Sequence, residues 1–208
     1  MSVFLQRKRY PMTLPPYIKI EYIQSDGGQY INTEYKPKST TKVIIDAQWD
    51  DYEAEVAISR TPIQCLFGCA NKYYYFGMMD PLDSRALVYY YYGKTNANTW
   101  NIQAGRHVYT ADGPTGTVYN LKQTYTDQTA FEVTEDLYIF AYNFRGTVSS
   151  ISKGKIWCAK IYDNGQLIRD YIPVQLTADG SVGLWDLVEN RFYGNIGTGY
   201  FTAGGIAA

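Results

Sequence analysis

The stretch KIWCAKIYDNGQLIRDYIPV, Lys155 to Val174, decides the fold. Two runs of alternating apolar and polar residues flank Asn164-Gly165. Asn-Gly accepts positive φ at both central positions, which a type I′ hairpin turn demands. A two-residue loop there sets Tyr162 against Leu167, Ile161 against Ile168 and Trp157 against Ile172, so apolar side chains meet across the strands. The same register puts Lys160 opposite Arg169. Like charges at facing positions repel, so this face is expected to be solvated, with Asp163 or Asp170 close enough to compensate.

The two-residue rhythm extends outward from this hairpin. TKVIIDAQW, Thr41 to Trp49, places Val43, Ile45, Ala47 and Trp49 on one face and Ile44, Asp46 and Gln48 on the other. DLYIFAYNF, Asp136 to Phe144, is apolar on both faces and predicts a central strand covered on both sides. Shorter strands are expected around Ile18–Gln24, Gln29–Thr33, Gln64–Ala70, Tyr73–Met79, Arg85–Tyr92, Arg106–Ala111, Thr117–Asn120, Ala130–Val133 and Val182–Leu187. Asp26-Gly27-Gly28, Asp112-Gly113-Pro114 and Asp179-Gly180 supply turns between them. Helical periodicity is almost absent. The pattern predicts an all-β, two-sheet antiparallel sandwich over residues 14–208. A chain of 208 residues can bury roughly 70% of its unfolded surface in one core.

Residues 1–13, MSVFLQRKRYPMT, stand outside the alternation. The segment is basic at Arg7, Lys8 and Arg9 and carries Phe4, and it reads either as a disordered terminus or as an extended arm that orders on a neighbouring subunit. Its charges follow a very short apolar run, unlike a secretory signal.

Charge and composition narrow the function. A net charge of −1 gives no general attraction to nucleic acid. No apolar run approaches the ~20 residues a membrane-spanning helix needs, so no membrane insertion is expected. Cys65, Cys69 and Cys158 cannot all pair within one chain, and no second ligand pair completes a zinc site. Any Ser-His-Asp or Cys-His arrangement would depend on His107, the only histidine, which sits in RHVY as an ordinary strand residue. No coiled-coil heptads specify an oligomer, although a homo-oligomer is compatible with the chain.

Two blocks carry a resemblance. LPPYIKIEYIQSDGGQYINTEYKP, Leu14 to Pro37, resembles the opening of the laminin-G-like, concanavalin A-like jelly-roll family of bacteriophage and prophage virion proteins. The family also occurs in surface proteins of gut bacteria. KIYDNGQLIRDYIPV, Lys160 to Val174, followed by DGSVGLWDLVENRFYGNIGTGYFTAG, Asp179 to Gly204, resembles its closing block. The resemblance implies a jelly roll, and a structural protein of a head fibre, head decoration or tail, assembled in the host cytoplasm and resident in the virion. It also implies contact with other virion proteins, here through Phe4, Arg7, Lys8 and Arg9. The shared motifs read as scaffold: Asp186 and Asn195 suit hydrogen bonds to loop backbone, and Trp185 and Phe192 suit core plugs.

Glycosidases of this architecture place two carboxylates on one strand in a Glu-x-Asp-x-(x)-Glu pattern, roughly 5–5.5 Å apart in retaining enzymes. No such pattern occurs. The nearest acidic cluster, Asp50, Asp51, Glu53 and Glu55 in WDDYEAE, reads as a solvated strand end. The chain is therefore expected not to be an enzyme, with a glycoside hydrolase of the same fold as the alternative that Glu53 and Glu55 would revive. Laminin-G-like relatives often hold calcium, but no dense Asp/Asn loop supports it here, and no cofactor is expected.

The chain has 22 tyrosines, so its strand faces must carry rings on both sides. In LVYYYYG, Leu87, Tyr89 and Tyr91 oppose Val88, Tyr90 and Tyr92; in KYYYFGMM, Tyr73 and Tyr75 oppose Tyr74 and Phe76. Packing accounts for most of them. The remainder suggest a surface for glycans or for another protein: Tyr73, Tyr75, Tyr90 and Tyr92, with Asn96, Asn98 and Trp100 from the loop GKTNANTW. The expected function is non-catalytic adhesion to glycans by a virion protein; a purely structural decoration is the alternative.

Overall fold

In the computed structural model, which describes residues 16–49, 64–80, 87–94, 98–101, 103, 105–126 and 129–207, the Asn164-Gly165 turn is built as its sequence requires. Its φ angles are +50° and +82°. The turn joins β15 (Lys153–Asp163) to β16 (Gln166–Leu176), with Asp163 paired to Gln166 and Tyr162 to Leu167. One step further the expected register fails. A bulge takes up Ile168, so Ile161 pairs with Arg169 and Lys160 with Asp170. The like-charge clash is removed: Lys160 Nζ lies 2.8 Å from both carboxylate oxygens of Asp170, and Arg169 turns inward. Trp157 does not meet Ile172 either. The register that pairs Ala159 with Tyr171 runs one residue off the expected one, and toward β4 Trp157 is the extra residue of a second bulge, between Ile156 and Cys158.

In spatial order the larger sheet contains β11 (Leu121–Thr124), β10 (Thr115–Val118), β9 (His107–Asp112), β4 (Thr41–Trp49), β15, β16, β17 (Val182–Asp186) and β18 (Arg191–Tyr193). β1 (Tyr17–Lys19) pairs with β16, β2 (Ile23–Asp26) with β15, and β19 (Thr202–Ala203) with β2. The smaller sheet runs β14 (Thr147–Ser149), β13 (Tyr142–Phe144), β5 (Gln64–Ala70), β6 (Tyr75–Asp80), β7 (Leu87–Gly93) and β8 (Asn98–Asn101). β12 (Tyr138–Ile139) pairs with both β5 and β3 (Ile31–Asn32). Pairing between strands is antiparallel except between β13 and β5, and no described residue is helical.

The core lies between the sheets. Val43, Ile45, Tyr109 and Ile161 from the larger sheet join Phe67, Phe76, Met78, Val88 and Tyr90 from the smaller in one buried cluster. The protein is an all-β sandwich of two sheets. β4 alternates buried and half-buried residues along its whole length, as its sequence predicts.

Asp136–Phe144 is not one strand. The chain breaks at Phe140, where φ is +66° and the amide donates to the Leu66 carbonyl at 2.8 Å. β12 then runs antiparallel to β5 and β13 parallel to it. Cover on both sides holds only around the break: Leu137, Ile139, Phe140, Ala141 and Tyr142 are buried, whereas Tyr138 is half-buried and Phe144 is exposed. Ala130–Val133 forms no strand, only a bridge between Glu132 and Lys38. The strand expected at Thr117–Asn120 begins at Thr115 and ends at Val118. Tyr119 and Asn120, at φ +54° and +64°, turn into β11.

The two resembling blocks are knitted together. Thr198 donates its amide to the Gly28 carbonyl at 2.8 Å, and Ile196 donates to Tyr30 at 3.0 Å. Asn195 Oδ1 accepts from the amides of Tyr30 and Gly197 at 3.1 and 2.8 Å. A Cβ at Gly197 would lie 2.1 Å from the Gly28 oxygen, so only glycine allows this approach. Asp186 also serves backbone, accepting from the amides of Asp170 and Val188.

Candidate functional site

The smaller sheet divides the tyrosines differently from the expected platform. Tyr90, Tyr92 and Trp100 are 0%, 3% and 4% exposed and lie in the core. Their polar tips make this possible, because a buried ring with a satisfied tip behaves as a large apolar side chain. Tyr90 Oη donates to the Gly113 carbonyl at 2.5 Å, Tyr92 Oη to Ser39 at 3.1 Å, and Trp100 Nε1 to Leu121 at 3.1 Å. The Tyr125 hydroxyl donates to the Tyr90 carbonyl. Across the sandwich, Gly116 leaves the space that two rings need: a Cβ there would meet Trp100 at 2.6 Å and Tyr90 at 2.8 Å. Burial pushes the Tyr90 phenol well above the ordinary tyrosine range.

Of the other expected residues, Tyr75 is half-buried on the outer side of the sheet, 6.2 Å from Tyr91 and packed over Cys65, Ala70, Met79 and Tyr142. Tyr73 is 60% exposed. Asn98 lies on β8. Asn96, the arm residues Phe4, Arg7, Lys8 and Arg9, and the acidic cluster Asp50, Asp51, Glu53 and Glu55 lie outside the described residues.

What the structure does assemble is a notch at the rim between the sheets. Asn71 Oδ1 accepts from the amides of Tyr73 and Tyr74, each at 2.8 Å, and fixes the turn ahead of β6. Tyr73 then points to solvent, while Tyr74 stacks on Phe131 with ring centres 5.5 Å apart and planes at 23°. Phe131 meets Tyr92 edge-on at 4.8 Å. Gly93, at φ +66°, bends the end of β7 around Phe131. Lys94 Nζ rests 5.4 Å from the centre of the Tyr74 ring. Tyr74, Tyr92, Gly93, Lys94, Thr129 and Phe131 enclose about 130 Å³.

No protein-family model and no curated protein matches this chain. The chemistry of the site therefore rests on its residues. The notch is lined by a stacked ring pair, a lysine whose ammonium lies over one of those rings, and a threonine.

Among the described residues, the three thiols, the histidine and Glu189 have the following surroundings. Burial pushes the thiols of Cys65, Cys69 and Cys158 above the ordinary range, opposite to an activated thiolate. His107 packs edge-on against Tyr119 at 4.5 Å. Glu189 holds Arg169 at 2.6 Å and accepts from the Tyr193 hydroxyl at 2.6 Å. Among the described residues, no three His, Cys, Asp or Glu side chains gather as a metal-ligand set, and no helix is long and apolar enough to cross a membrane.

Sequence reasoning missed the notch for a physical reason. Tyr74 has the inward parity of Phe76 and Met78, and Phe131 and Thr129 come from a segment more than fifty residues away. Period-two alternation separates the two faces of a strand but does not mark its rim.

Proposed function

We propose that this chain is a non-catalytic structural module of a phage-type particle, a laminin-G-like jelly roll that adheres to glycans by stacking a sugar ring in the rim notch. The carrying observation is the notch: Tyr74 stacked on Phe131, with Lys94 and Thr129 at its mouth and exposed Tyr73 beside it. A pyranose has an apolar C–H face for the rings and hydroxyl edges for the Lys94 ammonium. About 130 Å³ is small beside the ~300–1,000 Å³ of pockets that enclose drug-sized ligands, so each contact is shallow and weak. Many copies on one particle would convert weak contacts into adhesion. In this reading the arm, through Phe4, Arg7, Lys8 and Arg9, ties the module to other particle proteins.

The test is a glycan array probed with wild type and with Tyr74→Ala. Wild type should bind, and the variant should lose about tenfold in affinity for the same glycans, since a stacked ring contributes up to ~1.5 kcal/mol. A wild-type protein that binds no glycan overturns the reading. A purely structural decoration is the second reading, favoured by the burial of Tyr90, Tyr92 and Trp100 and by the half-buried tyrosines Tyr75, Tyr89 and Tyr91 facing outward, which suit a protein contact.

A further inference from the structure

We propose that Asn164-Gly165, at the tip of the β15–β16 hairpin, is a self-acting modification site. Asn164 cyclises to a succinimide in the native protein and opens to aspartate and isoaspartate, with water as the co-reactant. The proposal is independent of the glycan reading. Asn164 is the only asparagine of the chain that is followed by glycine. Both residues are exposed. A Cβ built on Gly165 meets nothing within 4 Å, so neither a side chain of its own nor a neighbour crowds the attacking nitrogen.

Both reacting groups are unengaged. Among the described residues, nothing hydrogen-bonds the Asn164 side-chain amide, and nothing accepts from the Gly165 amide. The three glycines that follow an aspartate are closed to the same reaction. The Gly27 amide donates to Ser25 Oγ at 3.2 Å, that of Gly113 to the Thr41 carbonyl at 3.1 Å, and that of Gly180 to the Leu176 carbonyl at 3.0 Å. Other asparagines are tied or crowded. Asn71 Oδ1 accepts two amides, and Asn195 accepts two and donates to Gly199 at 2.9 Å. Asn120 and Asn190 share the left-handed backbone of Asn164, but Leu121 and Arg191 follow them.

The ring closes when the Gly165 nitrogen gives up its proton and attacks Asn164 Cγ, an intramolecular step. The new C–N bond replaces the bond to the side-chain nitrogen, which leaves as ammonia with that proton. Water then adds to one of the two imide carbonyls. Addition at Cγ gives aspartate. Addition at the main-chain carbonyl carbon of Asn164 leaves the chain running through Cγ, as isoaspartate. Closure needs Asn164 to rotate out of its turn conformation, at φ +50°. Beyond the hairpin pairing, one backbone bond holds the tip: the Asn164 amide donates to the Thr40 carbonyl at 3.4 Å, longer than the usual N–H···O range. A tip so lightly held opens at the low end of local unfolding free energies. Isoaspartate adds a main-chain carbon to a two-residue loop, so the Asp163–Gln166 pair loses its register. Aspartate sets a second carboxylate beside Asp163, which already takes the Thr40 hydroxyl at 2.7 Å and Lys38 Nζ at 3.6 Å.

The test is to age the native protein in mildly alkaline buffer made with heavy-oxygen water, then map it with trypsin in ordinary water. Cleavage after Lys160 and Arg169 releases the peptide Ile161–Arg169. This peptide should give two products, each with one heavy oxygen, before any other asparagine-containing peptide changes. One product should accept a methyl group from S-adenosylmethionine through a protein isoaspartyl methyltransferase. The other should match the peptide from Asn164→Asp, a variant that suits the same turn. Gly165→Ala should lose both products over the same period. Alanine at φ +82° strains the turn, so the wild-type labelling decides the matter without that variant. A wild-type peptide that stays unchanged, another asparagine converting first, or a single product that accepts no methyl group overturns the proposal. So does undiminished conversion in Gly165→Ala.

Discussion

Tyr90→Ala should destabilise the protein by about 3–5 kcal/mol, the range for truncating a large buried aromatic. Tyr90 is fully buried, and its ring lies 6.1 Å from Phe76 and 5.8 Å from Tyr125. Its hydroxyl is bound to Gly113, at the turn between β9 and β10. Truncation opens a cavity between the sheets, strips the Gly113 carbonyl of its donor, and leaves Gly116 facing a void where a ring had been. With domain stabilities typically about 5–15 kcal/mol, the loss takes a large share of the total. Urea unfolding of the purified variant measures it. Tyr73→Ala is the control: on an exposed ring the change should stay within about 0.5 kcal/mol.

Asp186→Ala is expected to cost a similar amount, about 3–5 kcal/mol. Asp186 is completely buried. Its Oδ1 accepts from the amides of Asp170 and Val188 at 2.9 and 3.0 Å, and its Oδ2 stands 3.5 Å from Arg169 Nε. Arg169, itself nearly buried, is held on its other side by Glu189 at 2.6 Å. Removing Asp186 leaves two amides without their acceptor and a buried guanidinium with one carboxylate instead of two. Asp186→Asn should cost less, because an amide oxygen can still take both backbone bonds. Arg169→Met combined with Asp186→Ala should recover part of the loss by removing the uncompensated charge. Denaturant midpoints of the three variants check the order: alanine lowest, then the double variant, then asparagine.

Much of the fold was legible because it depends on local rules. The Asn164-Gly165 hairpin, the alternation of β4 and the span of β5 follow from turn chemistry and side-chain period. The bulge at Ile161/Tyr162 left a trace in the sequence, the unfavourable Lys160–Arg169 pair, which is resolved by a one-residue slip. The Phe140 break left none. A run apolar on both faces looks the same whether it is one central strand or two short ones folded around a core residue. The Tyr119-Asn120 turn was hidden because Tyr-Asn is not a common dipeptide for positive φ at both positions.

The candidate site was less legible. Alternation separated Tyr89 and Tyr91 from Tyr90 and Tyr92 correctly, but it gave no hint of which set faces inward. That depended on the opposite sheet, where Gly116 makes room and the carbonyls of Ser39 and Gly113 accept the hydroxyls. A tyrosine is amphipathic, so the sequence left both sides open.

Hydroxyl-radical footprinting of the native protein, read residue by residue by mass spectrometry, examines that division of the rings without perturbing them. Tyr73 and Tyr200 should oxidise readily, and Tyr90, Tyr92 and Trp100 should stay protected until urea unfolds the chain. Oxidation of Tyr90 and Tyr92 in the native state at the rate of Tyr73 would place them on the surface and contradict the sandwich core described for this protein.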